Sequence, residues 1–277
     1  HPGALAKTRP DHPAIILGER RVSYAALAQR ATHIARYLRL QGLGRGDVIA
    51  LKMGNDPDFL AICWAAQQSG LYYVPVATRL TAAETAYILD DSGARAVFCD
   101  QDQASVVQAA QASAAPEALL LCTGEAEGIA ALDDALGRAG AALDDPGLDD
   151  PVEGLDMLYT SGTTGRPKGV KRPLSGDPLG SDRRRVDRSK ALFDMDPQMV
   201  FLSPAPLYHA APLRFAMTVL RIGGTVVLLE KFEPRAALAA LDAHRVTHSQ
   251  WVPTMFSRLL DLPVETRADV DLSAHRA

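Results

Sequence analysis

The alternation of strand-like and helix-like stretches constrains this chain more than any other feature. Short apolar runs recur: "VIALKM" (48–53), "YYVPV" (72–76), "AVFC" (96–99), "ALLLC" (118–122), "MVFLSP" (199–204) and "TVVLLE" (225–230). Segments with helical signals lie among them. Ser23 can cap a helix whose apolar positions Tyr24, Leu27, Ala28, Ala31, Ile34, Ala35 and Leu38 keep the helical period, with Gly42 ending it. Asp56 and Pro57 start a helix that stops at Gly70, and Thr81 with Glu84 makes a capping box for another running to Gly93. Further helices are expected over 211–222 and 234–244, ahead of "THSQWV" (247–252). Strands this apolar have no polar face to offer water. The expected fold is therefore α/β, alternating βα units forming mostly parallel sheets covered by helices. Pro75 weakens the second strand, because proline cannot donate to a ladder.

Residues 141–154, "AALDDPGLDDPVEG", are acidic and turn-rich and read as a connection, giving sub-regions of about 1–150 and 151–277. A chain of 277 residues, 47% hydrophobic and 22% charged, is ample for a sizeable core. Its net charge of −4 argues against nucleic acid as a partner, since there is no positive excess to displace counterions. The run Arg183, Arg184 and Arg185 reads as a solvated helix face. Cys63, Cys99 and Cys122 are far apart and form no Cys-x-x-Cys, so they are expected to be reduced core residues of a cytoplasmic protein. No apolar run reaches membrane-spanning length.

The chemistry concentrates in "LYTSGTTGRPKGVKRP" (158–173). "LDMLY" (155–159) reads as a strand, so the loop leaves a strand's carboxyl end, where ligands bind in open α/β sheets. Gly162, Gly165 and Gly169 permit sharp turns and close approach; Thr160, Ser161, Thr163 and Thr164 supply hydroxyls; Lys168 supplies a mobile positive charge. The segment is not a Walker A loop: from Gly162 it reads G-T-T-G-R-P-K-G, with proline in place of the second glycine and Gly169 in place of the metal-binding hydroxyl.

"YTSGTTGRPKGV" (159–170) resembles the phosphate-loop signature of the adenylate-forming superfamily, which includes acyl-CoA synthetases, firefly-type luciferases and the adenylation domains of peptide synthetases. "SYAALAQRATHIARYLRLQGLGRGDVIAL" and "GLYYVPVATRLTAAETAYILDDSGARAVFCD" resemble the segments that precede this loop in the family. "PAPLYHAAP" and "HSQWVPTMFSRLL" are similar to the acyl-CoA synthetase branch.

The resemblance implies a two-step reaction using ATP, Mg2+ and coenzyme A. A carboxylate, expected to be a fatty acid, is converted to an acyl-adenylate and then to a thioester. It implies that Thr160, Ser161, Gly162, Thr163, Thr164, Gly165 and Lys168 grip the β- and γ-phosphates. It places His209 beside the carboxylate and the adenylate, as a catalytic residue with Lys168. Tyr208 would gate the pocket or simply pack. Trp251, Thr254 and Met255 would line the acyl channel, with core packing an equal reading for Trp251 and Met255. His244 and His248 are four apart, but a helix should end between them, and no metal site is expected.

Departures from the family pattern are "KRPLSGDPLGSDRRR" after the loop, which leaves the role of Arg172 open, and the absence of the family's later motifs before Ala277. The expectation is an N-terminal portion of the large domain, without the small C-terminal domain. Such a chain should fold, self-associate and not turn over. The alternatives are an amino-acid-activating domain and a non-catalytic nucleotide- or acyl-binding module. The first is disfavoured because no acidic residue lies between Phe201 and Glu230 to bind an α-ammonium.

Overall fold

The computed structural model describes residues 1–149, 151–160, 166–181 and 183–277. Helix α1 (Pro2–Thr8) leads into a hairpin of β1 (Pro13–Leu17) and β2 (Arg20–Ser23). Ser23 Oγ accepts from the N–H of Ala26 at 3.2 Å and so caps α2 (Tyr24–Leu40). Strict alternation follows: β3 (Val48–Lys52), α3 (Pro57–Gln68), β4 (Tyr72–Pro75), α4 (Ala82–Ser92), β5 (Ala94–Cys99), α5 (Ala104–Ala114) and β6 (Leu119–Cys122). The capping box on α4 is present in both directions between Thr81 and Glu84, and Gly93 ends the helix in the left-handed conformation.

Next come β7 (Ala130–Ala131), α6 (Leu132–Ala139), two short 3-10 turns, β8 (Leu155–Asp156), β9 (Leu158–Thr160) and β10 (Lys168–Val170). The last stretch holds α7 (Arg183–Phe193), β11 (Val200–Ser203), α8 (Ala210–Ile222), β12 (Thr225–Leu228), α9 (Pro234–Ala243), β13 (His248–Ser249), α10 (Pro253–Leu260) and α11 (Val264–Ala268). The basic run thus opens a helix.

Two compact units result. One gathers Gln29–Gly54 and Asp58–Ser181; the other gathers His1–Ala28, Asn55–Pro57 and Asp182–Ala277. The first is built on a six-stranded sheet in the order β7-β6-β5-β3-β4-β8, with every pairing parallel. Its core includes Val48, Val74, Ile88, Val97, Val107 and Met157. Pro75 fits this sheet for a directional reason. Tyr72 and Val76 donate to β3, at Asp47 O (2.8 Å) and Leu51 O (2.7 Å), so Pro75 turns its nitrogen toward β8. Pairing with β8 stops at Tyr73↔Asp156, and the missing N–H loses no ladder bond. All three cysteines are buried and free.

The expected strand over 155–159 is in fact two. Leu155 and Asp156 belong to the edge of the six-stranded sheet, whereas β9 pairs with β10 in a separate two-stranded ribbon. Met157, between them, donates its N–H to Tyr73 O at 2.9 Å.

The second unit carries a five-stranded sheet in the order β13-β11-β12-β1-β2, parallel except for the antiparallel edge strand β2. Helix α8 lies on one face, where Phe215 stacks on Phe201 at 5.5 Å. Helix α9 lies on the other, where Ala240 and Leu241 pack with Ile16, Leu202 and Val227. The hydroxyl of buried Tyr24 donates to Gly224 O at 2.7 Å, fixing the start of α2 to the turn after α8.

Lys52 ends β3 wholly buried. Its ammonium donates to Ala77 O (2.8 Å), Leu80 O (2.9 Å) and Thr78 O (3.1 Å), which ties down the turn that precedes α4. Burial lowers its pKa from 10.5 to about 8, against the pull of the Glu84 and Asp100 carboxylates. In the pH window from about 8 to 10.5 the unfolded chain therefore binds more protons at this residue than the folded one, so stability contributed here rises with pH. Urea denaturation of the wild type against Lys52→Met should show the wild type gaining on the variant across that window. A difference that stays flat would mean that the three carbonyls hold the ammonium near its ordinary pKa.

Candidate active site

The ribbon of β9 and β10 frames the glycine- and hydroxyl-rich loop. Its register sets Thr160 opposite Lys168, Tyr159 opposite Gly169 and Leu158 opposite Val170. Thr160 and Lys168 thus stand side by side at the open end of the ribbon, both exposed. Ser161, Gly162, Thr163, Thr164 and Gly165 lie outside the described residues. Gly169 is required by close approach: a Cβ there would lie 2.6 Å from Met157 Cε and 2.8 Å from Tyr159 Cζ.

A two-stranded ribbon alone is marginal, and three tyrosines hold this one. Tyr159 donates its hydroxyl to the Asp91 carboxylate at 2.6 Å; burial first, and then Asp91, push its pKa well up. Tyr87 donates to Pro167 O (3.1 Å) and Tyr72 to Arg172 O (2.6 Å). Arg166 lies over the Tyr87 ring and Lys171 over the Tyr72 ring, at 5.4 and 4.8 Å. Arg172, whose role the sequence left open, reaches the buried carboxylate of Asp156 at 3.3 Å. None of these anchors is visible in the loop sequence, since their partners lie 16 to 100 residues away.

In the other unit, β11 ends at Ser203 and the segment 204–208 delivers His209 to the N-cap position of α8. The N–H of His209 donates to Pro206 O at 3.1 Å, and its carbonyl accepts from the N–H of Leu213 at 3.2 Å. Its imidazole is exposed, with the Tyr208 ring centre 4.7 Å away. The His209 side chain makes no cap bond to this helix, whose first amides and positive dipole end lie at the edge where the histidine stands.

Sequence reasoning missed Asn55, taking its neighbours only as a helix start. Its amide nitrogen donates to Leu229 O (2.8 Å) and Ala205 O (3.2 Å), and its carbonyl oxygen accepts from the N–H of Leu207 at 2.7 Å. One buried side chain thereby joins the loops that follow β11 and β12, and holds the segment that carries His209.

Trp251 follows β13 on the opposite face of the sheet from α8. It packs with Leu202, Val227 and Leu241, and its ring lies 6.2 Å from Phe232 and 5.9 Å from Phe256. Its indole N–H donates to Ser249 Oγ at 2.6 Å, which in turn bonds His275 Nε2 at 2.7 Å. On α10, Met255 is buried and Thr254 exposed. The structure therefore brings Tyr208 and His209 together and sets Trp251 apart from them. His248 is buried, bonded to Thr247 Oγ1 and to Phe193 O at 2.8 and 2.7 Å, while His244 ends α9. Among the described residues no cluster of three or more His, Cys, Asp or Glu side chains could hold a metal.

The chain thus presents a ribbon framing a glycine- and hydroxyl-rich segment and, in the other unit, a histidine at the N-terminus of a helix after a parallel strand. The family model described as AMP-binding enzyme matches residues 4–277. The chain belongs to the AMP-binding enzyme family. It is 33% identical to a feruloyl-CoA synthase from Amycolatopsis sp over 285 residues, covering 97% of this chain and 51% of that protein. It is 29% identical to the long-chain-fatty-acid–CoA ligase FadD13 of Mycobacterium tuberculosis over 244 residues, covering 88% and 46%. The chain spans about half the length of these curated relatives. The inhibitor-bound crystal structure of the N-terminal domain of FACL13 from Mycobacterium tuberculosis superposes with a TM-score of 0.79 at 27% identity, covering 99% of this chain and 68% of that one.

The fold expectation holds for this member of the AMP-binding enzyme family, and no helix among its described residues is long and apolar enough to cross a membrane. The Asn55 clamp gives a direct test. Asn55→Leu leaves the N–H of Leu207 and two carbonyls without their partner, which should cost about 2–4 kcal/mol in urea denaturation. Asn55→Asp keeps the bond from Leu207 but sets a buried carboxylate against the two carbonyl oxygens, and should cost at least as much at neutral pH. Wild-type stability in Asn55→Leu would show that the loops hold themselves.

Proposed function

We propose that this chain is the N-terminal portion of an ATP-dependent ligase that activates a hydrophobic carboxylic acid and passes it to a thiol. In the first step a carboxylate oxygen bonds to the α-phosphorus of MgATP, and the bond from that phosphorus to the bridging oxygen breaks, releasing pyrophosphate. In the second, a thiolate attacks the acyl carbon, a C–S bond forms, and the C–O bond to AMP breaks. Coenzyme A is the thiol that this reading assigns, and a fatty acid is the acid class that the sequence favours. Magnesium would arrive bound to the nucleotide.

The observation that carries the reading is the pairing of Thr160 with Lys168, which brings both ends of the phosphate-loop motif to one exposed point. A lysine there meets the negative charge that shifts onto the leaving pyrophosphate as the bond breaks, and such a contact matters most in the transition state. His209 needs a different role: at the N-terminus of α8 it can orient the carboxylate, with the helix amides sharing the charge. The family match and the ligase names of the relatives support the reaction class. Their named acids, feruloyl and long-chain fatty acyl, support a hydrophobic acid and leave its shape to experiment.

ATP–pyrophosphate exchange by the full-length enzyme tests this. Lys168→Ala should lower the exchange rate by roughly 10²-fold, the scale of losing one preorganised donor, while binding of the acid changes little. An unchanged exchange rate would make Lys168 an ordinary surface residue and remove the main support of the reading.

A further inference from the structure

The carboxyl edge of the five-stranded sheet holds two buried polar atoms that the described residues do not satisfy. Ser203 Oγ and Gln250 Oε1 are shielded from solvent and have no hydrogen-bond partner among those residues. Ser203 as a whole is only 1% exposed. Their proximity follows from the sheet. Strands β11 and β13 run parallel with Phe201 beside His248 and Leu202 beside Ser249. The pairing ends there, and the same register continued by one residue would set Ser203 beside Gln250.

Alternation places both on one face. Phe201 stacks on Phe215 of α8, and His248 bonds Phe193 O at the end of α7. Ser203 and Gln250, each two residues further on, share that face. Leu202 and Trp251 belong to the opposite cluster. The polar pair therefore lies on the face that α8 covers, at the edge where that helix begins with His209.

Leaving such groups unpaired costs about 1–3 kcal/mol each, and native proteins rarely do so without a use for them. Donor and acceptor chemistry narrows the use. An amide oxygen only accepts, while a serine hydroxyl donates once and accepts as well. A hydroxyl group donates to one and accepts from the other, and it still fits if the Gln250 amide is turned end for end. An alkyl chain satisfies neither atom, and a carboxylate has no proton for Gln250. An ammonium would be buried with no acidic residue anywhere between Phe201 and Glu230 to balance it.

We propose that Ser203 and Gln250 form a hydroxyl-recognition subsite, and that the acid taken by this chain carries an alcohol or phenol that enters it. The inference rests on the reading above, in which the acid's carboxylate lies by His209.

Calorimetric titration of this chain with two matched pairs provides the test: 4-hydroxycinnamate against cinnamate, and 10-hydroxydecanoate against decanoate. The Gln250 side-chain amide is followed in parallel by nitrogen-15 NMR. One hydroxylated acid should bind at least tenfold more tightly than its parent and shift the Gln250 amide resonance. In Ser203→Ala and in Gln250→Leu that preference should fall to about twofold or less while the parent acid still binds. Which pair discriminates tells an aryl acid from an aliphatic one. Equal binding within both pairs, tighter binding that leaves the Gln250 amide unmoved, or no binding by any of the four acids would each overturn the subsite. Equal binding alongside a strong Lys168 effect on pyrophosphate exchange sinks the subsite alone. A tenfold preference alongside an unchanged exchange rate sinks the ligase reading and leaves hydroxyl recognition standing.

Discussion

Parallel strands all end at the same edge of a sheet, and the candidate chemistry of the second unit depends on that constraint. Strands β11, β12 and β13 each return through a helix, so the segments after Ser203, Leu228 and Ser249 emerge side by side. Backbone that has left the ladder still needs hydrogen-bond partners. Asn55 supplies them to two neighbouring loops at once, because a side-chain amide both donates and accepts. A carboxylate could accept from Leu207 but could not serve the two carbonyls. The exposed histidine at the start of α8 is thus held by a residue about 150 positions earlier, through a loop with little regular structure of its own.

The ribbon of β9 and β10 solves a similar problem by other means. It leaves the six-stranded sheet at Met157, and so loses the lateral support that a central strand enjoys. Tyrosine suits the task of replacing that support, since its ring packs while its hydroxyl reaches a backbone carbonyl or a carboxylate. Tyr72 and Tyr87 hold the flank after the loop, and Tyr159 ties the flank before it to Asp91. The Arg172 bond to buried Asp156 adds a charged anchor, strengthened because one partner is shielded from water. Gly169 then lets the two strands close on Tyr159. The ends of the loop are positioned by packing and hydrogen bonds that are independent of any nucleotide.

What was legible in the sequence was what nearest neighbours decide. Ser23, the Thr81–Glu84 box, Gly93 and the helical periods marked helices to within a residue or two, because caps and periodicity are local. The loop motif named its own family for the same reason. Pairings across long separations were not legible. Nothing near Ile15 indicates that it lies beside Val226, so the β1–β2 hairpin and its place in the second sheet went unread. Nor does "LDMLY" show where it changes sheets, because a run of apolar residues satisfies either partner. Asn55 and the three tyrosines escaped notice because their roles exist only when distant backbone arrives. Trp251 illustrates the converse. Its motif left channel lining and core packing equally open, and parity along β13 turns it toward the α9 face, against Leu202 and Val227.

That parity bears on what the α8 face is built to hold. Several buried polar groups of the chain are met by neighbours: Lys52 by three carbonyls, Asn55 by two carbonyls and an amide, His248 by a hydroxyl and a carbonyl. Satisfying a group in this way fixes the structure and leaves nothing for a ligand to add. Specificity for a polar substituent requires the opposite arrangement, a donor and an acceptor held in place by the fold and left for the ligand to complete. A sheet edge can provide this economically. The strands fix the backbone of Ser203 through its pairing with Leu228, and the β11–β13 register, continued one residue past Leu202 and Ser249, would bring Gln250 alongside. An apolar pair at these two positions would accept any acid of suitable size, since a hydrophobic wall discriminates weakly between a hydrogen and a hydroxyl. The serine and the glutamine make the choice chemical, because an acid without the hydroxyl offers neither of them a partner.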